Sequence, residues 1–169
     1  METQDCIVSR RSIRKYKTQE ISKEIVSKLL EAAMYAPSAR NTQSWQFIVI
    51  SDKEKLAAIT KVHPYAKMLL EAPLAILVCG DKLKEENESY LAINCSAATQ
   101  NILLSAHSLE IGSVWLGVYP RIERITPLID LFELPEHILP ISLIALGYAD
   151  EQKEIPVRFN LENIHYEKF

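Results

Sequence analysis

Between Glu88 and Glu110 the chain carries no Asp, Glu, Lys or Arg. The spacing predicts a helix over Leu91–Leu109, and that helix has no charged face to turn toward water. About 20 apolar residues can cross a bilayer, so a membrane span must be weighed first. It is rejected, because Asn94, Ser96, Thr99, Gln100, Asn101, Ser105, His107 and Ser108 are too many polar groups for hydrocarbon. What remains is a helix buried on all sides. A small domain has too little chain to cover such a helix alone, so a second copy is expected against it. Ala92, Cys95, Ser96 and Thr99 are small enough to let another helix approach closely. The stretch is read as the spine of a homodimer.

The flanking segments supply the rest of one expected domain, 1–169, long enough to bury a sizeable core. Residues from Thr3 to Ser9 can form a short helix. Ser22 is a good N-cap for a second helix, whose apolar stripe Ile25, Val26, Leu29, Leu30 and Ala33 stops at Pro37. Trp45 to Ile50 reads as a strand. Asp52 opens a helix carrying Leu56, Ala57 and Ile59, and a helical turn follows near Lys67 to Leu70. Pro73 to Cys79 is a nearly continuous apolar run, which implies a strand buried on both faces. Ser113 to Tyr119 is expected to be a third strand, Ile122 to Phe132 a helix, and Ile141 to Leu146 a fourth strand after a loop bracketed by Pro135 and Pro140. Four strands among five or six helices, with some connections too short for βαβ crossovers, predict an α+β layered architecture. The tail from Asp150, with alternating Ile164, Tyr166 and Lys168, has no obvious place in a compact monomer. It is expected to act as an arm that adds a strand to a partner.

Several function classes are disfavoured. Only four glycines are present, no G-x-G-x-x-G occurs, and Gly112 to Gly117 lacks the Lys-Ser/Thr of a P-loop. A net charge of -3 argues against nucleic acid as partner. The histidines His63, His107, His137 and His165 lack metal-ligand spacing, and neither G-x-S-x-G nor H-E-x-x-H appears, so no metal and no catalytic nucleophile are expected. Cys6, Cys79 and Cys95 suggest no disulfide framework, and Met1 to Asp5 carries acids but no apolar run. The expected setting is the reducing cytoplasm.

Against this acidic background, Arg10-Arg11-Ser12-Ile13-Arg14 stands out. Guanidinium forks match phosphate oxygens bidentately, and a hydroxyl between them can bond the same anion. The cluster reads either as a phosphate anchor or as a solvated basic patch. A second polar stretch, Ala36 to Trp45, reads by itself as an ordinary helix-to-strand connection.

Taken together, these stretches resemble the FMN-dependent nitroreductase family over essentially the whole chain. Arg10 to Tyr16 resembles its R-R-S-x-R-x-[FY] opening, Ala36 to Phe47 its A-P-S-x-x-N-x-Q-P-W-x-F segment, and Asn94 to Gly117 its central helix followed by a G-x-x-x-x-G strand. The resemblance implies a nitroreductase-like layered fold. Its central mixed sheet of four strands would be joined by a strand from the partner's C-terminal tail, with the long buried helix at the dimer interface. It also implies FMN as cofactor and NADH or NADPH as donor. The acceptor would be a small electron-poor molecule such as a nitroaromatic or a quinone. The same scaffold could instead run reductive dehalogenation or flavin destruction, or bind FMN without catalysis. By the resemblance, Arg10, Arg11, Ser12 and Arg158 would hold the FMN phosphate. Arg14 and Lys67 would lie near the ribityl chain and the N1/O2 edge. Pro37, Ser38, Ala39 and Asn41 would reach FMN from the other subunit, and Val114, Trp115, Leu116 and Gly117 would lie against the isoalloxazine. The sequence departs from the family pattern at Ser44, where proline is usual, and at Pro64, where many relatives carry a flavin-bonding asparagine.

Overall fold

A computed structural model describes residues 1–169. Helices α1 (Thr3–Ser9), α2 (Lys23–Met34), α3 (Lys53–Val62), α4 (Glu88–Ser108) and α5 (Ile122–Phe132) alternate with strands β1 (Trp45–Ile50), β2 (Leu74–Asp81), β3 (Ile111–Gly117) and β4 (Ile138–Tyr148). The expected caps hold. Ser22 Oγ accepts from Ile25 N at the start of α2, and the Asp52 carboxylate accepts from Lys55 N at 2.8 Å at the start of α3.

The strands form one sheet in the order β1-β2-β4-β3. Every neighbouring pair is antiparallel, which corrects the expected mixed sheet. Helix α3 joins the neighbours β1 and β2, and α5 joins the neighbours β3 and β4, while α4 carries the chain from β2 to β3 at the edge and leaves the place between them to β4, which runs opposite to both. The one parallel link is a single bridge between Ser12 and Ser113, where Ile13 N donates to the Ser113 carbonyl at 3.0 Å. Residues 10–14 are thereby laid along the free edge of β3.

Strand β4 is longer than the sequence suggests, because Pro140 lies inside it rather than ending a loop. Proline cannot donate to a ladder, and the register slips there: Val78 faces Ser142 while Cys79 faces Pro140. The extra residue, Ile141, turns its carbonyl to Val118 N and Tyr119 N, carrying the edge just past β3.

All eight residues of β2 are buried, as its apolar run requires, so both sheet faces are covered. Helix α4 touches all four strands, α2 packs on α4, and α5 packs on β4 and against α3. Tyr16 pins the N-terminal segment: its buried hydroxyl donates to the Ile13 carbonyl at 2.5 Å, and its ring lies where a Cβ on Gly147 would fall, 2.7 Å away. The aromatic that closes the opening motif therefore has a structural duty.

Two surface features of the single chain bear on the expected dimer. Within one chain α4 is covered on one face only. Leu91, Asn94, Cys95, Ala98, Thr99, Ile102, Leu103 and Ala106 are buried, whereas Ile93 is 62% exposed and Gln100 is open to solvent. The open face is uncharged. The tail past Glu151 forms no strand on its own chain, and Ile155, Val157, Phe159, Leu161 and Tyr166 are all exposed. No helix is long and apolar enough to cross a membrane.

Candidate functional site

At the C-terminal end of α4 the chain gathers positive charge. Arg10 is half-buried, and burial together with the nearby Arg11 and Arg158 guanidiniums lowers its affinity for its own proton. Arg158, from the far end of the chain, is thus near enough for Arg10 to feel its charge. His107 sits beside the same group, pushed below the usual imidazole range by burial, Arg10 and Arg11. The Ser9 hydroxyl donates to the Asp5 carbonyl at 2.6 Å and so takes the Nε2–H of His107 at 2.7 Å. Arg11 is folded back onto the carbonyls of Val8, Arg10 and Glu154, which fixes where its charge lies.

No carboxylate neutralises this group. The ion pairs of the chain are Arg40–Glu85, Arg121–Glu123 and Lys153–Glu151, and none involves Arg10, Arg11, Arg14, Lys67 or Arg158. Gathering like charges without counter-ions is unfavourable unless an anion completes the site.

From the cluster, residues 10–14 run along β3 into a cleft of about 510 Å³. Its lining includes Arg14, His63, Pro64, Tyr65, Lys67, Met68, Trp115, Leu116 and Gly117. An extended chain rises about 3.3 Å per residue, so Arg10 and Arg14 sit roughly 13 Å apart along this edge. The arrangement suits a ligand with an anion at one end and a flat body at the other.

The floor of the cleft is built with unusual rigidity. The Gly117 carbonyl accepts from His63 Nε2 at 3.0 Å and from Arg124 Nη1 at 2.7 Å. The tautomer of His63 follows from its other nitrogen, which accepts from Tyr65 N at 3.3 Å. Burial, opposed by the Gly117 bond and aided by Arg124, holds His63 below its ordinary value, so it is neutral near pH 7. Arg124 also lies 5.2 Å from the centre of the Tyr65 ring. Both nitrogens of His63 are thus committed, and the imidazole is a brace rather than an acid or base.

The glycines show which side of this floor is open. A Cβ on Gly80 would meet Leu91 at 2.3 Å, and one on Gly112 would meet Ile13 at 2.8 Å. A Cβ on Gly117 would meet only Arg124 Nη1, at 3.9 Å, and Gly117 has no positive φ. Nothing in the chain itself demands a glycine there. The space above its peptide would admit a flat body.

The polar loop lies elsewhere. Ala39 N donates to Asn94 Oδ1 at 2.9 Å, which ties the loop to the N-terminal half of α4. With 13 residues from Asn94 to His107 and 1.5 Å of rise per residue, the loop and the cationic cluster are about 20 Å apart along the helix. Pro37, Ser38, Ala39 and Asn41 therefore do not meet the cleft of their own chain.

Comparison with known proteins bears on this geometry. A profile described as "Nitroreductase family" matches residues 7–64 and 60–148. The chain belongs to the nitroreductase family. A protein of Archaeoglobus fulgidus, provisionally named NADH dehydrogenase/NAD(P)H nitroreductase, is 48% identical over 96% of this chain and 96% of its own. An FMN-dependent nitroreductase from Clostridium difficile superimposes with a TM-score of 0.91 at 33% identity, covering 98% of this chain and 99% of that one. A provisionally named nitroreductase from Desulfovibrio desulfuricans, solved in complex with FMN, gives a TM-score of 0.87 at 32% identity, covering 100% and 98%. The match makes this chain an oxidoreductase by family.

In this nitroreductase the expected site residues fall into three places. Arg14, Lys67, Trp115, Leu116 and Gly117 share the cleft. Val114 is 1% exposed and lies behind the cleft rather than lining it. Arg10, Arg11 and Arg158 form the cationic group beside it, and Ser12 is bridged to Ser113 between the two. Pro37, Ser38, Ala39 and Asn41 stand apart. Sequence reasoning missed His63 and Arg124, which brace the floor. The only signal was the pairing of His63 with Pro64 near Lys67, which says nothing about the Gly117 carbonyl it reaches.

Proposed function

We propose that this nitroreductase is a homodimeric FMN enzyme, with residues 1–169 forming one FMN-binding domain. NADH or NADPH is the electron donor, and an electron-poor acceptor such as a nitroaromatic or quinone is reduced. The observation that carries the reading is the uncompensated group Arg10, Arg11 and Arg158 at the head of a cleft with open space above Gly117. A relative of the same fold solved in complex with FMN supports the choice of flavin.

Bound FMN supplies hydride transfer through its N5 atom. The chain's own residues do the rest. Arg10, Ser12 and Arg158 would take the phosphate, with guanidinium forks on the anion, while Arg11, bonded to the Val8, Arg10 and Glu154 carbonyls, would add charge alongside. Arg14 and Lys67 place positive charge at the far end of the cleft, where charge gained by the ring is stabilised. The backbone of Trp115, Leu116 and Gly117 forms the platform, kept flat by His63 and Arg124. No carboxylate lines the cleft and its lone imidazole is fully bonded, so the protein's contribution is chiefly orientation and field.

The dimer follows from the two ends of α4. Its open, uncharged face carries Ile93, Ala97, Gln100 and Leu104 at helical spacing. If two copies pair antiparallel along this face, the Asn94 end of one helix meets the His107 end of the other. Pro37, Ser38, Ala39 and Asn41 of one copy then approach the cleft of its mate. The exposed apolar tail is the natural arm to secure the pair.

The test is spectroscopic. Protein saturated with FMN should show bound-flavin absorbance that bleaches with NADH or NADPH and returns when a nitroaromatic or quinone is added. Protein that stays colourless after FMN is supplied refutes the flavin, and flavin that the nicotinamides fail to reduce refutes catalysis. A panel of acceptors then ranks the substrate classes.

A further inference from the structure

The loop at the N-terminal end of α4 is shaped at a cost and displayed. Arg40, Asn41 and Gln43 have φ of 52°, 55° and 46°, a cluster of left-handed residues with no glycine among them. Such a backbone persists only where its surroundings over-determine it. Pro37, Arg40, Asn41 and Gln43 are exposed, and of their side chains only that of Arg40 reaches beyond the loop, to Glu85.

The surroundings that hold it lie beneath. Asn94 is 1% exposed in the interior of α4, where a buried amide is a poor helix former and a costly core residue unless its bonds are made. All its bonds go to one segment. Its Oδ1 accepts from Ala39 N at 2.9 Å, and its Nδ2 donates to Thr42 Oγ1 at 3.3 Å and Ser44 Oγ at 3.1 Å. Glu85, likewise buried, takes Arg40 Nη2 on one oxygen at 2.9 Å and Asn87 N on the other at 3.1 Å. Asn87 in turn caps α4 by accepting from Ser89 N and Tyr90 N. A leucine at 94 and a neutral residue at 85 would serve helix and core more simply. What they would not do is fix the loop.

We propose that Asn94, assisted by Glu85, is a positioning residue that acts in trans. It holds the 37–43 loop in the shape that the partner subunit's flavin cleft requires. The inference rests on the shared-site reading above and adds residues that touch no flavin. Loosening the loop leaves the cationic group and the cleft of the same chain intact, so the loss appears in the mate's site.

Asn94→Leu removes all three bonds while keeping bulk. The expected result is FMN affinity lowered roughly tenfold, the worth of pre-organising one contact loop, in a dimer with unchanged circular dichroism. Asn94→Asp keeps the acceptor for Ala39 N and should recover part of the loss. The decisive arm uses hybrids, in which an Arg10→Ala chain and an Asn94→Leu chain carry different affinity tags and are purified as a mixed dimer. Action in trans predicts one cleft with both defects and one with neither, hence one FMN per hybrid bound with wild-type affinity. Action in cis, or a merely structural role, predicts no wild-type site and overturns the proposal. Wild-type affinity in Asn94→Leu also overturns it. Should that variant not fold, Glu85→Gln takes its place in the same hybrid, with a roughly threefold loss expected in its own dimer. A wild-type protein that binds no FMN sinks the parent reading instead, and a flavin-loaded wild type with an unaffected loop variant sinks only this one.

Discussion

The two ends of α4 are built on opposite logic. At its C-terminal end, Arg10, Arg11, His107 and Arg158 collect with no carboxylate to balance them, beside a cleft open to solvent. At its N-terminal end everything is answered: Asn94 satisfies Ala39, Thr42 and Ser44, and Glu85 satisfies Arg40 and Asn87. One end is chemically incomplete and the other is complete but strained. On the proposed dimer, the difference makes each end half of a site. Charge left unpaired waits for a ligand, while bonds directed into backbone shape serve a surface that something else must read.

The sharpest way to break the comparison is to remove charge from the incomplete end. Losing one arm of a charge-assisted phosphate contact costs about 1.5–3 kcal/mol, so Arg10→Ala should weaken FMN binding by one to two orders of magnitude, roughly. An FMN titration followed by flavin fluorescence checks this, and unchanged affinity would return the cluster to the solvated-patch reading.

The glycines give the next largest contrast. Gly80 is closed by Leu91 at the complete end, and a Cβ there would fall 2.3 Å from it. Gly80→Ala should therefore cost about 1–3 kcal/mol of stability through overpacking. Gly117, at the open end, meets only Arg124 Nη1 at 3.9 Å. Gly117→Ala should leave stability within about 0.5 kcal/mol and lower flavin affinity. Urea unfolding beside FMN titration separates the two, and equal destabilisation by both would erase the contrast.

A smaller effect comes from acid. His63 and His107 both sit at the cleft end with proton affinities below the ordinary imidazole value of 6.5. Above about pH 6.5 both folded and unfolded forms are neutral and stability is flat. Below it the unfolded chain takes up protons first, so stability falls as pH drops toward the lower folded-state values. His63→Gln should flatten that slope in thermal melts between pH 7 and pH 5, and an unaltered slope would mean the brace at Gly117 is not where the protons count.

Much of this was legible in the residues. Ser22 and Asp52 announce their helices because capping is local, and Ile122 to Phe132 carries its period in plain view. The all-antiparallel sheet was not legible, because a helix between two strands does not reveal which way the second one runs. Pro140 looked like punctuation and proved to be a bulge, since its missing donor is tolerated where the register slips. The uncharged helix is expected to be buried all round only with a second copy against it, and one chain covers a single face. His63 was invisible because its partner, a carbonyl at Gly117, is contributed by another element and carries no side chain. Asn94 read as one more polar residue of the helix until its three bonds were seen to end on one loop.

Native mass spectrometry of the FMN-saturated protein tests the account most directly. It predicts one dominant assembly of two chains and two FMN molecules, with flavin lost when the pair is driven apart. A single chain retaining FMN, or a flavin-free pair that stays empty at saturating FMN, would contradict it.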